Sequence, residues 1–279
     1  MAINSFTVKK PAERLASLDI LRGFDLFMLV FFQPVFVELV RHWEHIPFFG
    51  FLLRQFEHKA WTGFSAWDLV MPLFLFMVGA AMPFSFEKFK SSPDKKAIYK
   101  KIIRRFIILF ILGMIVQGNL LSLDPLQIRL YSNTLQAIAV GYLIAAVFQL
   151  HLSNKFQYIA TALLLIGYWA LLTFFGDFTP EGNFAEKVDQ LVLARFRDGV
   201  SYQADGTWQF NPNYRYTWIL SSMTFGVTVM LGVFAGKIMK NGTDKRKNSM
   251  LLLIWGVALI VAGGLLSFQT PIIKKIWSS

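Results

Sequence analysis

The stretch Glu57–Gly79, EHKAWTGFSAWDLVMPLFLFMVG, decides how the rest of the chain is interpreted. It opens with a histidine and a short Trp/Gly connector, continues through a polar helix start, and ends in a long apolar run. A run of about 20 apolar residues is what a helix needs to cross the hydrocarbon core of a bilayer. The stretch therefore places one titratable side chain, His58, directly outside a predicted membrane-spanning helix.

The composition of the whole chain indicates a membrane protein. Hydrophobic residues make up 55% of the 279 residues, against about 45–50% in an ordinary soluble domain. The chain has no cysteine, which excludes disulfides, thiolate metal sites and cysteine nucleophiles. Its N-terminal residues lack the pattern of a cleaved signal peptide, so the first span is expected to act as the insertion signal. We predict an all-α, polytopic transmembrane helix bundle that forms a single domain over residues 1–279.

Basic residues predict how this bundle is oriented. With the N-terminus in the cytoplasm, 18 of the 28 Lys and Arg residues fall on the cytoplasmic side, as the positive-inside tendency requires. The net charge of +11 is therefore read as an orientation signal, and no nucleic-acid partner is predicted. We predict a cytoplasmic basic loop at about 87–105 and external loops at about 41–65 and 176–215. We also predict seven spans, with approximate ends: Ile20–Val40, Ala66–Phe86, Ile102–Leu123, Thr134–Leu150, Phe156–Phe175, Tyr216–Ile238 and Met250–Phe268.

The second external loop is predicted to contain a short amphipathic helix. Its apolar residues Phe184, Val188, Leu191 and Phe196 recur at a spacing that places them on one side of a helix. The loop carries six acidic and four basic residues between positions 177 and 215, which suits an external face.

His58 supports two interpretations. It can be an ordinary interfacial histidine, since three of the four histidines lie in the first external loop. It can also be a general base for an attacking amine or hydroxyl, because the ordinary pKa of histidine lies near neutrality. Context favours His58 over His42 and His45, because Trp61 and a Thr-Gly connection lead directly into the second span. The spacing of these histidines does not favour a metal site, and none is predicted.

The segment Ser65–Asp68 also supports two interpretations. Its spacing is that of a capping box with Asp in place of Glu. Alternatively, Asp68 is the carboxylate that pairs with His58 or with a substrate. Pro72 and Pro83 lie in the same apolar run, which predicts a bent helix beside a cavity.

Polar residues follow the first span from its cytoplasmic mouth. Asp19 and Arg22 are three apart and share a helix face. They form either an interfacial ion pair or a site at which Arg22 positions an anionic group such as a nucleotide phosphate. Asp25 lies inside the span, where acidic residues are costly and usually face the bundle interior. Gln33 and Glu38 continue this character, so the first span is predicted to line a polar passage.

Two later spans carry further polar or small residues. Asn133 and Gln136 open the fourth span as candidate ligand contacts, although helix–helix hydrogen bonds explain them equally well. In the sixth span Gly226, Gly232 and Gly236 are interpreted as packing positions rather than as a phosphate loop.

Five segments resemble the transmembrane acyltransferases typified by heparan-alpha-glucosaminide N-acetyltransferase. They are SLDILRG from Ser17, HKAWTGFSAWDLVMPLFLFMVG from His58, TPEGN from Thr179, LGVFAGKIM from Leu231 and PIIKKIW from Pro271. The histidine segment is the most specific of them. The resemblance implies transfer of an acetyl group from cytoplasmic acetyl-CoA to a sugar amine across the membrane, with His58 as the active-site histidine.

The candidate substrate- or acyl-CoA-binding residues combine both lines of reasoning. Gln33 stands closest to a position where relatives commonly have Asn, and Asn133–Ala137 lacks the Gly and Arg of the relatives' motif. Relatives continue into further membrane helices, so the chain is expected to be truncated relative to the family. The full set is Asp19, Arg22, Asp25, Gln33, Trp61, Asp68, Asn133 and Gln136.

Three functions remain open on the sequence. The first is a membrane acetyl- or acyltransferase acting on an amino group or hydroxyl of an extracytoplasmic sugar. The second is a transporter or channel for a small polar or anionic solute, and the third is a non-catalytic membrane scaffold. The external loops contain no N-x-[S/T] sequon, which favours a bacterial plasma membrane. The expected partners are the bilayer and a carbohydrate, and a homodimer is left open.

Overall fold

The computed structural model describes residues 16–90, 94–116, 120–121, 123–124, 126, 128–203, 205–242 and 244–277. Three basic residues used to predict the orientation, Lys9, Lys10 and Arg14, lie outside them. The predicted all-α class is confirmed. The helices are α1 Ala16–Phe27, α2 Gln33–Arg41, α3 Pro47–Gln55, α4 Val70–Lys90, α5 Lys95–Val116, α6 Thr134–His151, α7 Asn154–Phe175, α8 Phe184–Leu193, α9 Ser222–Asn241 and α10 Lys245–Leu266, and one hairpin pairs β1 Val200–Tyr202 with β2 Trp208–Phe210.

Six helical stretches in the described part of the chain are long and apolar enough to cross a membrane. The protein is therefore a multi-pass membrane protein. The six stretches correspond to all predicted spans except the third: Ala16–Arg41, Ala66–Phe86, Thr134–His151, Asn154–Phe175, Ser222–Asn241 and Lys245–Leu266.

The third predicted span, Ile102–Leu123, differs from the structure at both ends. Its helix α5 begins at Lys95 and ends at Val116, and residues 117–119 and 122 lie outside the described residues. The first half of α5 is strongly basic, and cationic side chains are costly at membrane depth. Helix α5 is therefore not among the six stretches that are long and apolar enough by composition alone.

The first span is one continuous stretch with a widened turn in the middle. A π-helical segment, Met28–Phe32, joins α1 to α2. Pro34 stands at the second position of α2 and cannot donate a backbone hydrogen bond to the preceding turn. Single π turns commonly absorb such local irregularities inside α-helices.

Helix α9 is the centre of the bundle and packs against α4, α6 and α7. Its contact with α4 is unusually close because glycines face the other backbone. A Cβ atom added to Gly79 would lie 1.9 Å from the Val229 carbonyl oxygen. The packing interpretation of the α9 glycines is confirmed, since an added Cβ would meet a neighbouring helix at 2.8 Å for Gly226, 2.1 Å for Gly232 and 2.3 Å for Gly236.

The outer helices present apolar side chains to their surroundings. Helix α10 contains no buried residue, and α1 buries only Leu18 and Asp25. In a bilayer such side chains face lipid, and no protein partner is needed to cover them.

The predicted amphipathic helix in the second external loop is present as α8, but its buried side differs from the prediction. Leu191 is 84% exposed, whereas Ala185, Asp189 and Leu193 are buried. Hydrogen bonding turns the Asp189 side of α8 inward. The Asp189 carboxylate accepts hydrogen bonds of 2.7 Å and 2.9 Å from two consecutive backbone amides just before α9. Burial raises the pKa of Asp189 to about 6.

Those two amides belong to Trp218 and Ile219, inside the segment predicted as the start of the sixth span. The predicted start of this span, at about Tyr216, lies six residues before the start of α9 at Ser222. The Asp189 carboxylate satisfies these two N–H groups, so the segment before α9 is held in a turn.

Candidate active site

The candidate site is built on Asp68, which uses its two carboxylate oxygens for different purposes. Its Oδ2 accepts a 2.9 Å hydrogen bond from the Ser65 backbone amide, and the predicted capping box is present. Its Oδ1 lies 2.8 Å from Nδ1 of His58. Both interpretations of Asp68 therefore hold: it caps the short 3₁₀ turn Ala66–Leu69 that leads into α4, and it pairs with the histidine.

The contact with the Asp68 carboxylate assigns the tautomer of the imidazole. An ionised carboxylate can only accept a hydrogen bond, so Nδ1 of His58 carries the proton and Nε2 keeps a lone pair. Asp68 is buried, with 3% of its side chain exposed, whereas 40% of the His58 side chain is accessible. An oriented, accessible imidazole with a lone pair on one nitrogen is the arrangement that a general base requires.

Sequence reasoning missed a third member of this site, Lys274. Its Nζ atom lies 2.9 Å from Nδ1 and 3.1 Å from Nε2 of His58, and 3.5 Å from Oδ1 of Asp68. The sequence separation from His58 is 216 residues. The only available signal was the resemblance of the PIIKKIW segment to the family, which did not single out this lysine.

Backbone pairing brings the lysine to the histidine. The Gly63 amide donates a 2.9 Å hydrogen bond to the Ile272 carbonyl, and Gly63 forms an isolated parallel bridge with Ile273. Gly63 has φ of +112°, a conformation that favours glycine. Ile273 and Ile276 are fully buried, so the segment that carries Lys274 is anchored on both sides of it.

The electrostatic surroundings favour a neutral imidazole. Burial lowers the pKa of His58 below its ordinary value of 6.5, and the Lys274 ammonium lowers it further. The Asp68 carboxylate acts in the opposite direction but does not outweigh them. Burial also lowers the pKa of Lys274, while Asp68 opposes that change.

Trp61 ties the histidine loop to the second external loop. Its indole Nε1 donates a 2.8 Å hydrogen bond to the Phe178 carbonyl, directly before TPEGN. At the end of that motif, Asn183 caps α8 by accepting from the Glu186 amide at 2.7 Å. Trp61 therefore positions the loop around His58, whereas a substrate contact of its ring stays a prediction.

The polar residues of the first span form a separate group. Arg22 lies 3.9 Å from Asp19 and donates a 3.3 Å hydrogen bond to the Met77 carbonyl in α4. Met77 is nine residues beyond Asp68, about 13 Å along a helix at 1.5 Å per residue. The Asp19–Arg22 pair and His58 therefore lie at different depths.

Asp25 and Gln33 continue along the first span. Asp25 is 4% exposed, and no hydrogen-bond partner lies near its Oδ2 within the described residues. Gln33 is half-buried at the start of α2. A buried carboxylate on a membrane-spanning helix agrees with the predicted polar interior of this span, and ligand contact by either residue stays a prediction.

Asn133 and Gln136 are both bonded to the protein backbone. Asn133 caps α6 and donates a 2.6 Å hydrogen bond to the Gly113 carbonyl. Gln136 accepts from the Ser132 amide at 2.8 Å and donates to the Leu130 carbonyl at 2.7 Å. These bonds hold the entry to α6, and the structure does not bring the pair to His58 through any described contact.

The part of the chain that the structure describes contains no group of three or more His, Asp or Glu side chains placed to hold a metal ion. His42 and His45 are exposed in the turn after α2.

Comparison with known families shows which family the chain belongs to. The family model for heparan-alpha-glucosaminide N-acetyltransferase, catalytic, matches residues 14–183. The chain belongs to this family. The match to the heparan-alpha-glucosaminide N-acetyltransferase family includes His58, Asp68 and Trp61, and Lys274 lies beyond the matched residues.

Two curated members of the family align with nearly the whole chain. The heparan-alpha-glucosaminide N-acetyltransferase of Mus musculus is 24% identical over 98% of this chain and 47% of its own length. That of Homo sapiens is 25% identical over 95% of this chain and 45% of its own length. The chain thus spans somewhat less than half the length of these curated relatives.

Proposed function

We propose that this chain is the catalytic unit of a membrane acetyltransferase, in which His58 removes a proton from the acceptor. The acetyl group comes from acetyl-CoA, and the acceptor is an amino group or hydroxyl of an extracytoplasmic sugar. The observation that carries the proposal is the 2.8 Å contact between Nδ1 of His58 and Oδ1 of Asp68 at the start of a membrane helix. Membership of an N-acetyltransferase family supports the reaction class.

The reaction follows from the two nitrogen atoms of His58. The Nδ1–H group donates a hydrogen bond to Asp68 and keeps its proton, so the carboxylate orients the ring and stabilises the positive charge that forms during catalysis. Nε2 takes a proton from the acceptor N–H or O–H while the acceptor atom attacks the thioester carbonyl carbon. The tetrahedral intermediate then breaks its C–S bond, and the imidazolium returns the proton to the departing CoA thiolate. The products are the acetylated sugar and free CoA.

The donor and acceptor are proposed to approach from opposite sides of the membrane. The basic excess predicted for the N-terminal side supports a cytoplasmic N-terminus. His58 would then face the extracytoplasmic side of a bacterial plasma membrane, where the sugar is available. Arg22, at a different depth on the first span, would meet an anionic part of the donor. A carbohydrate acceptor is suggested by the names of the curated relatives.

The test is product analysis with purified protein in lipid nanodiscs. The protein is incubated with isotopically labelled acetyl-CoA and a panel of amino sugars, and the products are identified by mass spectrometry. We expect a labelled acetyl-sugar with the wild type and none with His58→Ala. The control is His42→Ala, because His42 is exposed and lies outside the site. Full activity of His58→Ala would reject the assignment.

A transporter is the second candidate, and one observation favours it. Asp25 places a buried carboxylate with an unpartnered oxygen inside a membrane-spanning helix, a feature typical of ion and solute pathways. Solute uptake into liposomes that is independent of acetyl-CoA would support transport. Saturable stabilisation of the protein by acetyl-CoA, without such uptake, would support the acetyltransferase.

A further inference from the structure

Lys274 is a cation held against the imidazole of His58. Its Nζ lies 2.9 Å from Nδ1, 3.1 Å from Nε2, the atom that must accept the proton, and 3.5 Å from Oδ1 of Asp68. Only 16% of its side chain is exposed. A flexible lysine on a protein surface rarely keeps one position, but this one is fixed by the buried segment around it.

The anchoring of that segment is extensive. The Lys275 carbonyl accepts a 3.1 Å hydrogen bond from the Thr217 amide, and the Ile276 carbonyl accepts one from the Tyr168 hydroxyl. Trp277 then packs edge-on against Phe225 in the core of the bundle, with ring centroids 4.9 Å apart. A backbone bound at so many points leaves Lys274 little freedom other than side-chain rotation.

We propose that Lys274 is the positioning residue that keeps His58 neutral and its Nε2 atom unprotonated until the acceptor arrives. This inference rests on the proposed role of His58 as a base. The lysine has two partners in the resting site, the Asp68 carboxylate and the imidazole edge. When the acceptor N–H or O–H binds at Nε2, the Lys274 ammonium moves away from Nε2 and stays paired with the Asp68 carboxylate.

The charge arrangement explains why a lysine is needed. Asp68 alone would favour the imidazolium, because an adjacent carboxylate stabilises a protonated histidine. An imidazolium has no lone pair and cannot act as a base. The Lys274 ammonium opposes that protonation and also neutralises the buried carboxylate. The other groups facing the pair are Lys275, whose charge acts on His58 in the same direction, and the Tyr216 ring, which lies under both lysines.

The experiment measures His58 directly, without turnover. Protein labelled with ¹³C at histidine Cε1 is reconstituted in nanodiscs and titrated by NMR, and His58→Gln assigns the signal among the four histidines. In Lys274→Met we expect the pKa of His58 to rise by at least about 0.5 pH unit, because a cation beside it has been removed. In Lys274→Arg it should stay near the wild-type value.

Two further variants keep the test decisive. Lys274→Gln removes the charge but can still donate to Asp68, so it serves if Lys274→Met does not fold. Lys275→Met is the matched control, because it removes a neighbouring cation that has no contact with Nε2 in the described structure, and its effect on the pKa of His58 should be smaller. An unchanged His58 pKa in every neutral Lys274 variant would overturn the inference.

Activity measurements distinguish a failure of this inference from a failure of the proposed function. With an active wild type, the acid limb of kcat/KM in Lys274→Gln should move to higher pH together with the NMR titration. An inactive wild type whose His58 still responds to Lys274 counts against the acetyltransferase and leaves the coupling intact. If the wild type is active but the acid limb of kcat/KM is the same in the Lys274 variants, the result counts against the role of Lys274 alone.

Discussion

His58 and Asp68 form a dyad in which the carboxylate that orients the imidazole is also the cap of the helix entry. The Nδ1–Oδ1 contact is 2.8 Å, and the other oxygen of Asp68 binds the Ser65 amide at 2.9 Å. The orientation of the histidine is therefore set by the same carboxylate that caps the start of the second span.

Removal of the Asp68 charge should affect activity more than stability. In Asp68→Asn the imidazole loses the anion that orients it and stabilises its protonated form, so kcat/KM for acetyl transfer should fall by about 100-fold or more. The loss of the charged cap should lower the free energy of unfolding by about 1 kcal/mol. Acetyl-transfer kinetics and thermal denaturation in nanodiscs measure the two effects.

Ser65→Ala is the matched control for that variant. It removes the hydroxyl 2.8 Å from Oδ2 of Asp68 and leaves the Oδ1 contact to His58 in place. We expect a similar loss of stability but less than a 10-fold loss of kcat/KM, since the orienting oxygen is untouched. Equal loss of activity in the two variants would show that Asp68 acts through folding alone.

The pH dependence of the wild type follows from the lowered pKa of His58. The base form is the active form, so activity should decline as the pH falls through the pKa of His58 in the folded protein. Since that pKa lies below the ordinary 6.5, the enzyme should keep more than half of its maximal kcat/KM at pH 6.5. A kcat/KM profile between pH 5 and 9 measures this, and an acid limb centred above pH 6.5 would contradict it.

The contact between α4 and α9 should not tolerate a methyl group. In Gly79→Ala the new Cβ would lie 1.9 Å from the Val229 carbonyl oxygen, so the two helices must separate. We expect a loss of about 1–3 kcal/mol in the free energy of unfolding, as for other overpacked contacts. Gly256→Ala in α10 is the control, because no atom lies within 4 Å of its added Cβ. It should be neutral or slightly stabilising.

Replacement of Asp25 by Asn should increase the stability of the protein and weaken the binding of acetyl-CoA. Asp25→Asn replaces a buried carboxylate that has an unpartnered oxygen with a neutral amide, which costs less to bury. We expect a higher unfolding temperature together with a raised KM for acetyl-CoA. Asp19→Asn is the control, since Asp19 is exposed and its replacement should change stability by less than about 0.5 kcal/mol. An unchanged KM in Asp25→Asn would remove Asp25 from the candidate acyl-CoA-binding residues.

The sequence was sufficient to predict the features that depend on neighbouring residues. Apolar runs located six spans, and the Ser65–Asp68 spacing predicted the capping box and one of the two roles of the carboxylate. Features that depend on distant residues were missed. The side of α8 that faces inward is determined by the Asp189 carboxylate, which binds amides about 30 positions away. Hydrophobic periodicity therefore placed Leu191 on the wrong side.

Lys274 illustrates the same limit within the site. Nothing in the residues around it distinguishes it from Lys275, its immediate neighbour. Its role follows from the bridge between Gly63 and Ile273, a pairing of two short irregular segments with no periodic pattern. The sequence therefore predicted the His58–Asp68 dyad as a candidate, whereas Lys274 could be identified only from the fold.

The Gly63–Ile273 bridge also determines when the site can exist during synthesis. A ribosome delivers His58 and Asp68 to the membrane first, and Ile273 and Lys274 arrive more than 200 residues later. At about 5–20 residues per second, that interval lasts on the order of 10–40 s. Until the late segment has crossed to the same side and docked, the buried Asp68 lacks its cation. Completion of the candidate site is thus coupled to insertion of the intervening helices, and a nascent chain arrested before residue 273 would carry the dyad without its lysine.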